Sequence, residues 1–167
     1  MACNPATSSV QTDPKASPHS GSQKATPKAS AKVGDTLTLH GSDDGSQLDV
    51  TLKRWTDRAV SADEYSGPES GHRWVAAQFE LLNTGKSVYA DSPSNGATVL
   101  DKDGQRFDPA YGDITAGPSM TTSAKVPPGG KALGWIVFEV PTGVKVSDVQ
   151  FTMDSGFADE SGQWKIS

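Results

Sequence analysis

The chain has 167 residues, a formal net charge of −5 at pH 7 and a single cysteine. Its length suits one domain of ordinary size, and one cysteine excludes an internal disulfide. An acidic chain repels a phosphate backbone, so nucleic-acid binding is not expected. No apolar run approaches the roughly 20 residues that a membrane-spanning helix requires.

The first 34 residues differ in composition from the rest. They are rich in Pro, Ser, Thr, Ala and Lys, and Val10 and Val33 are their large aliphatic residues. Such a segment cannot bury enough apolar surface to offset the entropy of ordering, so residues 1–34 are predicted to form a disordered tether. Residues 35–167 carry all four Trp, all five Phe and all three Tyr. They are predicted to form the folded domain.

The start of the chain resembles the mature start of a bacterial lipoprotein. Ala2 and Cys3 precede a polar tail, and in that class of protein a leader is cleaved before a cysteine whose thiol takes a diacylglycerol. The resemblance implies a removed signal peptide and a lipid anchor at Cys3 on the outer face of the cytoplasmic membrane, with an incidental surface thiol as the alternative. A coil of about 30 residues spans roughly 30 Å, so the domain would stand off the membrane.

Two short strands open the predicted domain. Residues 36–40 form the first, and residues 47–55 alternate apolar and polar side chains until Trp55 breaks the pattern. This break predicts a β-bulge near Lys53 and Arg54. Residues 59–72 have no sustained period and contain Gly and Pro, which predicts a long loop.

The strongest strand pattern lies between Arg73 and Gly85. One parity is apolar and the other includes Gln78 and Glu80, as expected of a strand with one buried face; the apolar set is Val75, Ala77, Phe79 and Leu81. The stretch ends in Asn83, Thr84 and Gly85, residues that favour a turn. We expect it to be a central strand.

The remaining sequence predicts more strands separated by turns. A hairpin turns at residues 101–104, a long loop covers residues 108–119, and further strands are predicted over residues 120–126, 131–141 and 149–153. With no segment of helical period, the pattern is typical of an all-β, antiparallel two-sheet sandwich.

Five short segments together resemble a known family. They are the Gly-Asp opening at 34–35, the strand end from Phe79 to Gly85, the hairpin from Leu100 to Phe107, the Pro-Gly-Gly-Lys turn at 128–131, and the strand from Gly134 to Pro141. Over about residues 33–167 the chain resembles the DUF4352 group of extracellular domains found on lipoproteins of Gram-positive, actinobacterial-like bacteria. The resemblance implies an immunoglobulin-like sandwich and no particular reaction.

Four aromatic residues are candidates for contact with a partner. Trp74 and Trp135 lie on the parity opposite the core residues of their strands, so they either pack under loops or form an exposed face for a sugar or protein. Tyr65 and Tyr111 lie in the two long loops, and sandwich loops cluster at the ends of the sheets. A protein partner or a cell-wall carbohydrate would suit such residues.

Catalytic and metal-binding signatures are weak. Asp154, Ser155 and Gly156 resemble the Asp-Ser-Gly of aspartic proteases, but they follow the apolar-apolar-Gly partner segment at 132–134, which is the reverse of the order in the one-domain enzymes. A hydrolase with its site at the loop ends is a separate alternative. His40 and His72, with Met120, could meet at one end of the sandwich, but no local spacing groups them as ligands. The sequence therefore predicts a non-catalytic cell-surface domain with a binding or structural role, and neither a metal nor a cofactor.

Overall fold

The computed structural model describes residues 31–166. This part of the chain is almost entirely strand and turn, with single 3₁₀ turns at Pro93–Gly96 and Asp154–Gly156. The strands are β1 (Ala31–Lys32), β2 (Thr36–His40), β3 (Gln47–Thr56), β4 (His72–Asn83), β5 (Tyr89–Asp91), β6 (Ala97–Asp101), β7 (Arg106–Phe107), β8 (Pro109–Ala110), β9 (Ala124–Val126), β10 (Lys131–Pro141), β11 (Val146–Thr152) and β12 (Ser161–Lys165).

The strands form two five-stranded sheets and one small ribbon. Sheet A has the order β1-β12-β11-β6-β7, sheet B has the order β2-β3-β4-β10-β8, and β5 pairs with β9. The pairings are antiparallel except that β1 runs parallel to β12. This architecture confirms the predicted all-β, immunoglobulin-like sandwich.

The main core lies between the two sheets. The Phe79 ring of sheet B is 5.4 Å from the Phe151 ring and 5.8 Å from the Trp164 ring of sheet A, measured between centroids. The predicted apolar parity of β4 points into this core, where Val75, Ala77, Phe79 and Leu81 are fully buried. The alternation read from the sequence therefore identifies the inner face of β4 correctly.

Two stretches of the sequence depart from regular strand pairing. The β3–β4 register shifts between Leu52 and Arg54, which confirms the predicted bulge. The strand expected over 120–126 is wrong in its first half, and only Ala124–Val126 forms β9. Met120 instead donates its main-chain N–H to the Trp135 carbonyl, 2.7 Å away, so its main chain is hydrogen-bonded to the edge of β10.

The ordered domain includes residues before position 35. Ala31 is 5% exposed and pairs with Trp164, while Gly34 donates its N–H to the Leu52 carbonyl at 2.7 Å. The predicted boundary after residue 34 therefore separates β1 from the sheet to which it belongs. Sequence composition missed this strand because Ala and Lys carry no strong strand signal.

Within residues 31–166, no helix has the length and apolarity needed to cross a bilayer. Cys3 and most of the predicted tether lie outside the described residues.

Candidate functional site

Sheet B is buried on both faces at one end. On its outer face, side chains of β4 and β10 meet a residue of the loop that follows β8, and together they form what we call the outer cluster: Trp74, Ala76, Ile114, Trp135 and Val137. The strand register explains this grouping, since Val137 pairs with Ala76 and Glu139 pairs with Trp74. Both parities of β4 are thus apolar here because each faces a packed layer.

The outer layer consists of two loops, residues 57–71 and residues 111–123, which we call the loop layer. Main-chain hydrogen bonds join them: Ala62 N–H donates to the Asp113 carbonyl and Thr115 N–H donates to the Val60 carbonyl, both at 2.9 Å. Ser61 and Ile114 form a further antiparallel bridge. The two loops therefore act as one structural unit and not as independent flexible segments.

Two glycines let the loop layer approach the tryptophans. A Cβ at Gly112 would collide with the Trp74 ring, and a Cβ at Gly117 would lie 3.0 Å from Trp135 Nε1. Gly117 also has φ of 151°, in the region that favours glycine. Close packing of these loops on the indole rings therefore depends on the absence of side chains at both positions.

The four candidate aromatic residues fall into two pairs. Trp74 and Trp135 are 3% and 4% exposed, so they pack under the loop layer and do not form an exposed binding face. That alternative is corrected by the structure, because Ile114 and the two loops cover the rings. Tyr65 and Tyr111 are 90% and 93% exposed, one on each loop of the loop layer. They are the exposed aromatic side chains of the loop layer.

A cleft of about 470 Å³ opens beside Tyr111. It lies along the edge of β10, next to the 3₁₀ turn that precedes β6. Its walls combine polar and apolar groups, among them Asn95, Asp108, Tyr111, Asp113, Met120 and Trp135.

Under the loop layer, Glu139 is held by Trp74. The indole Nε1–H donates to Glu139 Oε2 at 2.9 Å, and the Glu69 N–H lies 3.4 Å from Glu139 Oε1. One ligand atom each from Glu69, His72 and Glu139 lies within 4.8 Å of the others. Sequence reasoning missed this group because Glu69 and Glu139 are 70 positions apart.

The grouping of His40 with His72 is wrong. His40 ends β2 and pairs with Gln47, at the end of sheet B where β3 meets Asn83, whereas His72 begins β4 at the other end. His40 contacts Glu160 instead, with Nδ1 2.9 Å from Glu160 Oε2. Met120 is buried in the main core and joins neither histidine to a site.

The Asp-Ser-Gly segment forms a left-handed turn that ties loops together. Asp154 and Ser155 have φ of 55° and 53°. Asp154 Oδ2 accepts the Ser42 N–H at 2.6 Å, and Asp91 Oδ2 accepts the Ser155 N–H at 2.7 Å. Burial, with the nearby Asp91 and Asp154 charges, raises the pKa of the Tyr89 hydroxyl above its ordinary value. The Asp154 carboxylate thus has a structural role, because it binds the main chain of the loop at Ser42.

Comparison with known proteins identifies the family. The sequence profile of the domain of unknown function DUF4352 matches residues 31–162. The chain belongs to the DUF4352 family. The match begins at β1 and ends within β12, so the DUF4352 domain comprises both sheets and the loop layer. No curated protein matches the chain by sequence.

Solved structures share the fold of this DUF4352 domain at low sequence identity. MPT63, a secreted protein of Mycobacterium tuberculosis, is 18% identical with a TM-score of 0.57, covering 84% of this chain and 98% of its own. The ycdA protein of Bacillus subtilis, a provisionally assigned lipoprotein, is 16% identical with a TM-score of 0.56, covering 78% of this chain and 39% of its own. The yjhA protein of Bacillus subtilis is 13% identical with a TM-score of 0.56, covering 82% and 99%. At these identities the likeness establishes the β-sandwich fold alone.

Proposed function

We propose that this chain is a non-catalytic domain tethered through Cys3 to the outer face of a bacterial cytoplasmic membrane, where it binds a protein partner through the loop layer. One observation carries the binding surface: two loops bonded to each other each present a tyrosine, Tyr65 and Tyr111, at 90% and 93% exposure. Tyrosines supply large contact areas at low cost in side-chain entropy, and they are enriched in protein interfaces.

The cleft beside Tyr111 supports the same proposal. Residues at the centre of an interface usually fill a pocket, and the energy of binding concentrates in such anchors. The cleft of about 470 Å³ is large enough for one anchor side chain from a partner. Since the loop layer is fixed on the outer cluster, binding there would require little ordering of the loops.

The tether rests on separate support. Ala2-Cys3 and the polar tail resemble a lipoprotein start, and neighbours of the same fold include a secreted protein and a provisionally assigned lipoprotein. Labelling with radioactive palmitate in the native host tests this part. We expect the unaltered chain to incorporate label and the Cys3→Ser variant to incorporate none. Equal labelling of the two, or labelling of neither, would contradict the tether.

Site-specific photocrosslinking on intact cells tests the binding surface. A photoreactive phenylalanine replaces Tyr111 in one protein and Phe157 in the control, because Phe157 is also exposed (84%) but lies after the left-handed turn. We expect a discrete crosslinked protein from position 111 only. With that protein purified, the double variant Tyr65→Ala and Tyr111→Ala should bind it at least tenfold more weakly.

Three results would contradict the proposal: no crosslink at position 111, the same products from position 157, or unchanged affinity in the double variant.

A cell-wall carbohydrate is the alternative ligand. Trp74 and Trp135 are buried and cannot contact it, but the exposed Tyr65 and Tyr111 could. Sedimentation with purified peptidoglycan distinguishes a carbohydrate ligand from a protein partner. Recovery of the protein in the pellet, abolished in the double variant, would favour a carbohydrate ligand over a protein.

A further inference from the structure

Two glutamates and a histidine meet at the end of sheet B where β4 begins. Glu69 lies on a tight turn, His72 begins β4, and Glu139 lies on the neighbouring strand β10. The turn is closed by the His72 N–H, which donates to the Glu69 carbonyl at 2.9 Å. In the strand register His72 pairs with Pro141 and Trp74 pairs with Glu139, so the His72 imidazole and the Glu139 carboxylate share the outer face.

From this arrangement we propose that Glu69, His72 and Glu139 bind a divalent transition-metal ion of the zinc class. One ligand atom from each lies within 4.8 Å of the other two. Ligands at about 2.0 to 2.2 Å from one tetrahedral zinc ion lie roughly 3.3 to 3.6 Å apart. Glu69 is exposed, so its side chain can change rotamer to approach the other two donors.

The donor set selects the class of ion. Calcium and magnesium take oxygen ligands, whereas zinc accepts both imidazole nitrogen and carboxylate oxygen. Three protein ligands leave at least one coordination position for water or for an added group. The site therefore fits zinc better than a hard cation.

Two contacts from outside the group orient its donors. Trp74, buried at 3% exposure, donates its N–H to Glu139 Oε2 at 2.9 Å. A carboxylate oxygen has two lone pairs, so Glu139 can accept this bond and still bind an ion. His72 Nδ1 lies 3.4 Å from the Ser70 carbonyl oxygen, which can only accept a hydrogen bond. The contact favours the tautomer with its proton on Nδ1, in which Nε2 is the ligand atom.

The local charge also favours a cation. Within residues 31–166, no lysine or arginine forms a salt bridge with Glu69 or Glu139. Arg73 is adjacent to His72 but donates to Asp57 Oδ1 and to the Pro141 and Val144 carbonyls. Two carboxylates held close together repel each other, and a divalent ion between them would replace that repulsion with attraction.

Zinc titration by calorimetry tests the site on the full chain. All proteins carry Cys3→Ser, because a free thiolate also binds zinc. We expect one zinc per chain, and binding at least tenfold weaker in Glu69→Gln and in His72→Gln. The matched control is His40→Gln, at the opposite end of sheet B, which should bind zinc like the parent.

A second readout keeps the test independent of folding defects. Glu69 is on the surface, so Glu69→Gln should retain the circular dichroism spectrum of the parent. Zinc should raise the thermal midpoint of the parent and of His40→Gln, because binding to the native state stabilises it. It should not raise the midpoint of Glu69→Gln. Absence of zinc binding by the parent, or equal affinity in Glu69→Gln and His72→Gln, would overturn the proposal.

Discussion

Two tryptophans in the outer cluster have nearly equal burial but different hydrogen bonding. Trp74 donates its indole N–H to Glu139. The Trp135 Nε1–H has no partner among residues 31–166. A bond to a charged acceptor contributes about 1.5 to 3 kcal/mol, whereas a buried donor without a partner costs free energy. Similar rings in one cluster therefore contribute differently to stability.

Substitution by phenylalanine separates these contributions. We expect Trp74→Phe to lower the free energy of unfolding by about 2 to 3 kcal/mol, since it removes the bond to Glu139. Trp135→Phe removes a comparable ring area together with an unpartnered N–H, so its loss should be smaller by about 1 kcal/mol or more. Urea unfolding of both variants measures the difference. Equal losses, or a larger loss in Trp135→Phe, would show that the Glu139 bond has no net stabilising effect.

At the scale of elements, the loop layer depends on a backbone position without a side chain. Gly112 lies directly on the Trp74 ring. The adjoining strands β4 and β10 are rigid parts of the sandwich, so a new methyl group there must displace the loop and not the sheet. This van der Waals contact couples the loop to the sheet, in addition to the main-chain bond from Met120 to Trp135.

Gly112→Ala tests that coupling. We expect a loss of about 1 to 3 kcal/mol in unfolding free energy, as for overpacking in a core, and faster proteolysis within residues 111–123. Gly67→Ala is the control, since a Cβ at Gly67 meets nothing within 4 Å. It should change stability by no more than about 0.5 kcal/mol. If the two variants unfold alike, the contact with Trp74 does not hold the loop.

The same element shows where sequence reasoning succeeds and where it ends. Alternation identified the inner face of β4 because burial between the sheets requires a period of two. The outer cluster departs from that alternation. The sequence of β4 is compatible with either burial or exposure of Trp74, because only the fold shows which loop covers it. Glu69 and His72 meet Glu139 only through the pairing of β4 with β10. No local pattern encodes a contact made by strand register.

For the whole molecule, the two ends of the domain lie side by side at the edge of sheet A. Strand β1 runs parallel to β12, and the Trp164 Nε1–H donates to the Asp35 carbonyl at 2.9 Å. Residues 31–34 therefore complete the sandwich, although their composition resembles that of the tether. At its junction with the domain, the predicted tether thus contributes residues 31–34 to the folded structure.

Two shortened chains define this junction. A chain beginning at residue 31 should unfold at the same urea concentration as the full chain, because it keeps β1. A chain beginning at residue 35 loses the β1–β12 ladder, the buried Ala31 side chain and the Gly34–Leu52 bond. We expect it to be less stable by about 1 to 3 kcal/mol. Equal midpoints for the two shortened chains would place the boundary at residue 35 after all.

The position of Trp74 and Trp135 beneath the loop layer has an optical consequence. Indole emission depends on the polarity around the ring, and these two rings lie between a sheet and the segments that carry Tyr65 and Tyr111. Any event that lifts those segments exposes the rings to solvent. The domain thus contains its own fluorescent reporter of loop displacement, which needs no attached dye.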